Sequence, residues 1–129
     1  MLIESKIFIV IGCFFFSTAI ILSAFGFHGP DQILAPRDRI SWSWAVEMQI
    51  YHSLGLILIG FLANFLKVSW VIRAAGILMI LGILIFSFLI YANAVGLIEE
   101  ISNIVPVGGF MFITSWLLLA IGVIKVKSI

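Results

Sequence analysis

Charge is the scarcest resource in this chain. Only 10% of its 129 residues are Asp, Glu, Lys or Arg, against about 25% in an ordinary soluble domain, which excludes a surface that water would cover. The few charges nearly cancel, to a formal +1. With no concentrated positive potential, nucleic acid is excluded as a partner class. The single cysteine, Cys13, lies inside an apolar run. It excludes a disulfide framework and any cysteine-based metal spacing, and reads as a small lipid-facing or packing residue. Also missing are a nucleophile-base pair in recognisable context, a Gly-rich phosphate loop and the HExxH spacing, so nothing supports an enzyme.

What the chain has is apolar length. Hydrophobic residues make up 64% of it and the mean hydropathy is +1.31, whereas soluble domains are about 45–50% apolar. A spanning helix needs roughly 20 mostly apolar residues. Four such runs are present, at about 7–27, 44–66, 70–96 and 104–124, leaving no room for a separate soluble domain. The stretch 28–43, containing "GPDQILAPRDRIS" with two prolines and four charges, reads as a connection outside hydrocarbon. "LKVSW" between the second and third runs is short, and short connections make neighbouring helices antiparallel. Strands of a membrane barrel would alternate in polarity over ~10 residues; these runs are apolar on all sides. The expected architecture is all-α, one integral membrane four-helix bundle, up-down and antiparallel. Lys6 precedes the first run as in a signal peptide, but the run exceeds the ~7–15-residue core of such leaders, so a retained helix is expected.

Basic residues orient the bundle. One side carries Lys6, Lys67, Arg73, Lys125 and Lys127; the other carries Arg37 and Arg39. This asymmetry predicts both termini in the cytoplasm. Trp42 and Trp44 at one boundary and Trp70 at the other fit the headgroup zone that indoles prefer.

Polar groups are placed unevenly. His28 ends the first run; Glu47, Gln49 and His52 lie in the first turns of the second; Tyr91 falls near the end of the third. All belong to the outer half, and of the strong polar candidates Asn64 alone lies in the inner half. This predicts a shared polar cluster near the outer face. Residues three or four apart share a helical face, which pairs Gln49 with His52 and Glu47 with Tyr51. Glu47 is the one acidic residue inside a run, and an intramembrane charge is a functional candidate by default; at the interface it would simply reach water. In "SAFGFHGP", Gly26 and Gly29 permit close backbone approach and Pro30 stops the helix, aiming His28 toward the second run. "PVGGF" opens the fourth run with Pro106 in its first turn, and Gly108 and Gly109 offer close helix packing, which drives association in lipid. Ala92 and Gly96 form a small-xxx-small pair.

Together "AFGFHG", "QIYHSLGL", "FSFLIY" and "PVGGFMFITSW" resemble the small four-helix membrane family typified by the bacterial inner-membrane protein YgdD, with eukaryotic relatives called transmembrane protein 256, known as domain of unknown function 423. The family's first motif reads like GAFGAHGL, matched at Ala24, Phe25, Gly26, His28 and Gly29. The second is matched at Gln49, His52, Leu54 and Leu56, the third at Phe86, Ser87 and Tyr91, the fourth at Pro106, Gly108, Gly109, Phe112 and Trp116. Phe88 and Leu89 stand where the family has small residues, which argues against a close helix contact in the third span. The resemblance implies the fold and a bacterial inner-membrane location, and supplies no activity.

Three function classes fit these residues. The favoured one is an accessory or structural component that binds lipid or a membrane protein partner, or a second copy of itself, through the polar cluster of His28, Glu47, Gln49, His52 and Tyr91, without chemistry or cofactor. The second is a haem or transition-metal site using His28 and His52 with Glu47, since imidazole and carboxylate both suit such ions; about 12 Å of helical rise between His52 and the outer end of its span counts against it. The third is a small transporter or proton path through Glu47, His52 and Tyr91, for which the inner half provides no polar route.

Overall fold

The computed structural model describes residues 1–28, 34–66 and 70–126. Its four long helices are α1 (Ile3–His28), α2 (Pro36–Leu66), α3 (Trp70–Ala94) and α4 (Val105–Ile124). Each is long and apolar enough to cross a bilayer, and no strand occurs among the described residues. The order is up-down and antiparallel. Leu2 N–H donates to Asn64 Oδ1 at 3.0 Å, tying the start of α1 to the end of α2. Glu4 meets Arg73 through two contacts, the shorter 2.7 Å, setting the starts of α1 and α3 side by side. The starts of α1 and α3 and the ends of α2 and α4 therefore lie at one end of the bundle, the terminal end; the end of α1, the start of α2 and the α3–α4 connection lie at the other, the loop end.

The second helix begins at Pro36, inside the stretch read from sequence as a connection. Proline suits the first helical position, where its absent N–H loses no bond, and Asp38 in the first turn complements the helix dipole. Charge marks where hydrocarbon ends, not where a helix ends. At 31 residues, α2 rises about 46 Å, well beyond the ~30 Å hydrocarbon core. Its first turns therefore extend past hydrocarbon at the loop end.

Lipid provides no hydrophobic drive between helices, so close packing must hold them. Between α1 and α2 the contact is reciprocal. A Cβ at Gly12 would lie 2.9 Å from the Ser53 carbonyl oxygen, and one at Gly60 would lie 2.9 Å from that of Ser5. Each glycine admits the other helix's backbone. Between α3 and α4, a Cβ at Gly108 would come within 2.7 Å of Phe86 N. The close contact that Phe88 and Leu89 argued against is thus made, with α4 supplying the missing small residue. It falls where α3 runs as a π-helix, Leu84–Phe88. The wider turn inserts one residue, so that Phe86 packs on α4 while Ser87 and Tyr91 turn to α2.

Other sequence expectations shift. A Cβ at Gly109 would come no nearer than 4.0 Å to its neighbours, so that glycine packs nothing closely. Gly96 has φ +79° and lies past the end of α3. Leu97 N–H donates to Ala92 O at 2.8 Å and Gly96 N–H to Asn93 O at 2.9 Å, the paired bonds of a Schellman cap. Ala92 and Gly96 therefore close a helix instead of packing two. Gly29, Pro30, Lys67 and Lys127 lie outside the described residues.

Gly60→Val should destabilise the bundle by about 1–3 kcal/mol through overpacking, read as a lower midpoint in an SDS unfolding titration; Gly109→Ala should leave that midpoint in place.

Candidate functional site

Gln49 projects from α2 into the bundle, fully buried, one turn inside the stretch that crosses hydrocarbon. Its Nε2 donates to Phe15 O at 2.8 Å and to Thr18 Oγ1 at 2.9 Å. Thr18 in turn donates to Phe15 O at 3.0 Å. On the other side Tyr91 O–H donates to Gln49 Oε1 at 2.8 Å. The primary amide has thus used both N–H groups and its carbonyl, and one side chain joins three helices. Around it, hydroxyls bond α2's own carbonyls: Ser53 Oγ to Gln49 O at 2.5 Å and, from the π-turn of α3, Ser87 Oγ to Ala45 O at 2.7 Å.

His52 lies one turn deeper and faces another way. Its Nδ1 is 2.6 Å from Met48 O; a carbonyl only accepts, so Nδ1 carries the proton. The ring stacks on Phe112 of α4 with centroids 3.5 Å apart and planes 13° from parallel. Gln49 and His52, adjacent on one helical face in the sequence reading, split between two interfaces: Gln49 toward α1 and α3, His52 toward α4.

Of the residues predicted to cluster, Gln49 and Tyr91 meet directly; His52 packs on α4 instead. His28 and Glu47 do not join. Glu47 is exposed on the outward face of α2, one turn from the exposed Trp44, the interfacial position that lets a carboxylate reach water. His28 is exposed at the end of α1. Trp42 lies opposite Leu22 and Gly26 and Gln49 opposite Phe15 and Thr18, so in this register His52 is level with the region of residue 15. His28 is some thirteen residues higher, about 20 Å. The two imidazoles do not meet. Among the described residues no group of three or more His, Cys, Asp or Glu could hold a metal ion.

Sequence reasoning missed Thr18 and Ser53, because hydroxyls in apolar helices usually bond their own helix and carry little signal. It also misplaced Trp42. That indole is 2% exposed, donates Nε1–H to Leu22 O at 2.8 Å and packs 4.6 Å from the Tyr91 ring. Gly26 makes the room, since a Cβ there would sit 2.4 Å from the indole. Trp44 and Trp70 remain exposed, as interfacial anchors should.

A family model described as "Protein of unknown function (DUF423)" matches residues 22–109, a stretch that begins at the Trp42 acceptor Leu22 and includes the close-packed Gly108. The chain belongs to that family. It is also similar to a UPF0382 membrane protein of Staphylococcus saprophyticus, 37% identical over 94% of this chain and 99% of the relative. The UPF0382 membrane protein YwdK of Bacillus subtilis is 35% identical over 93% and 98%. No solved structure matches the chain. In this DUF423 protein the motif residues Gly26, Gln49, Ser87, Tyr91 and Gly108 are among those that join helices.

The loop end carries open space. A cavity of about 430 Å³ is walled by Trp44, Phe86, Ile90, Val105 and Pro106 among others. It shares Ser41, Asn93, Ile101 and Ser102 with a second, of about 450 Å³, bordered by Arg37, Asp38, Glu99 and Glu100. Asn93 shapes this end by donating Nδ2–H to Ile98 O at 2.7 Å and to Glu99 O at 3.2 Å.

Gln49→Leu should destabilise the bundle by about 1–2 kcal/mol, since it strands the partners of a buried amide; adding Tyr91→Phe should cost less than the sum of the single changes, the signature of a coupled pair in a double-mutant cycle. Ser5 Oγ, buried near Gly60, has no hydrogen-bond partner among the described residues. Ser5→Ala should therefore leave the unfolding midpoint unchanged or raise it.

Proposed function

We propose that this DUF423 protein is a non-catalytic accessory component of the bacterial inner membrane, with both termini cytoplasmic, that binds lipid or a membrane protein partner. One observation carries the reading: the buried amide of Gln49 is satisfied by Phe15, Thr18 and Tyr91, which makes the cluster a brace between helices. With both N–H groups spent on α1 and its carbonyl held by Tyr91, the amide is committed to the bundle and not presented to a substrate. Binding then falls to the outside of the bundle, above all the cleft at the loop end.

The haem or metal reading draws less support, because His28 and His52 stand about 20 Å apart along the helices and Glu47 points outward. A proton path draws little. The hydroxyls of Ser53, Ser87 and Ser115 each donate to a backbone carbonyl instead of forming a chain toward the terminal end. Purified protein in proteoliposomes should pass protons no faster than protein-free vesicles. A flux that drops on Glu47→Gln or His52→Ala would replace this reading with a transporter.

A further inference from the structure

The two cavities at the loop end form one cleft with two kinds of wall. Their shared residues, Ser41, Asn93, Ile101 and Ser102, join an apolar limb to a charged one. The apolar limb opens beside Trp44, whose exposed indole marks the headgroup level. The charged limb is built on the turns of α2 that stand beyond hydrocarbon and on the α3–α4 connection. An amphiphile whose tail stays in the bilayer and whose head reaches past the interface matches this layout; a soluble metabolite does not need the oily limb.

The charges select among heads. The polar limb sets three carboxylates, Asp38, Glu99 and Glu100, against one guanidinium, Arg37. Among the described residues none of these four is held in an ion pair. Asn93 spends its N–H groups on the connection, leaving its carbonyl oxygen free to accept. The limb therefore offers one site for a phosphate and several acceptors for a cation that donates hydrogen bonds. An anionic head would meet a carboxylate excess.

We infer that this cleft binds one phospholipid with a primary-ammonium headgroup, its phosphate on Arg37, its ammonium on Glu99 and Glu100, and its glycerol-acyl portion along Trp44, Ile90 and Val105. This rests on the accessory reading above and names the ligand class for it.

The test is native mass spectrometry of the full chain released from nanodiscs of equimolar phosphatidylethanolamine and phosphatidylglycerol. Bound phosphatidylethanolamine should exceed phosphatidylglycerol by about threefold, the size expected of exposed charge pairs. The double change Glu99→Gln and Glu100→Gln, both at exposed positions, should return the ratio to that of the bilayer. Ser102→Phe, which fills the junction of the limbs, should lower retention of both lipids. Circular dichroism melting confirms that each variant keeps its fold. Equal retention of the two lipids by the wild type overturns the inference, as does a preference that survives the double change. Retention of a different lipid class, or of a protein partner without this lipid, overturns the inference and leaves the accessory reading standing; retention of nothing from native membranes overturns both.

Discussion

A buried amide in hydrocarbon has no water to fall back on, and the position of Gln49 depends on that fact. Its two N–H groups and its carbonyl must all find partners inside the protein, because an unmet one costs more there than a made one gains. Phe15, Thr18 and Tyr91 supply them, and in doing so hold α1, α2 and α3 at one depth and one rotation. The π-turn at Leu84–Phe88 belongs to the same constraint. It lets one helix present Tyr91 to the amide while Phe86 packs against the bare backbone at Gly108.

Close contact does the remaining work. Apolar area adds nothing to helix association when lipid tails are equally oily, so dispersion contacts between approaching backbones become the available currency. The reciprocal insertions at Gly12 and Gly60 bring α1 and α2 together at two depths, with Gln49 beyond them toward the loop end. The accessible chemistry then moves to the bundle's rim, where α2 outruns the hydrocarbon and the α3–α4 connection folds back on Asn93.

Much of this was legible beforehand. Four apolar runs and the short turn between the second and third were enough for four alternating helices, because the thickness of hydrocarbon dictates run length without reference to any partner. Gln49 and Tyr91 were recognisable as members of a cluster from depth alone. Their pairing with Thr18 was not. A threonine among phenylalanines has no period or motif to set it apart, and its role appears only when another helix reaches its hydroxyl. The extent of α2 was hidden for a different reason: Arg37, Asp38 and Arg39 interrupt the apolar pattern while leaving helical backbone intact.

His28 and Glu47 mark the boundary between the two kinds of knowledge. The amino-acid sequence by itself determined that the protein lives in a membrane and crosses it four times, since both follow from transfer energies and helical rise summed along a chain. Which polar groups face inward was decided only by tertiary structure. Helix rotation is set by where glycines admit a neighbour and where a buried amide finds acceptors, both of which are properties of pairs of helices. Those pairings turned Gln49 and Tyr91 into the bundle's interior and left His28 and Glu47 at its surface.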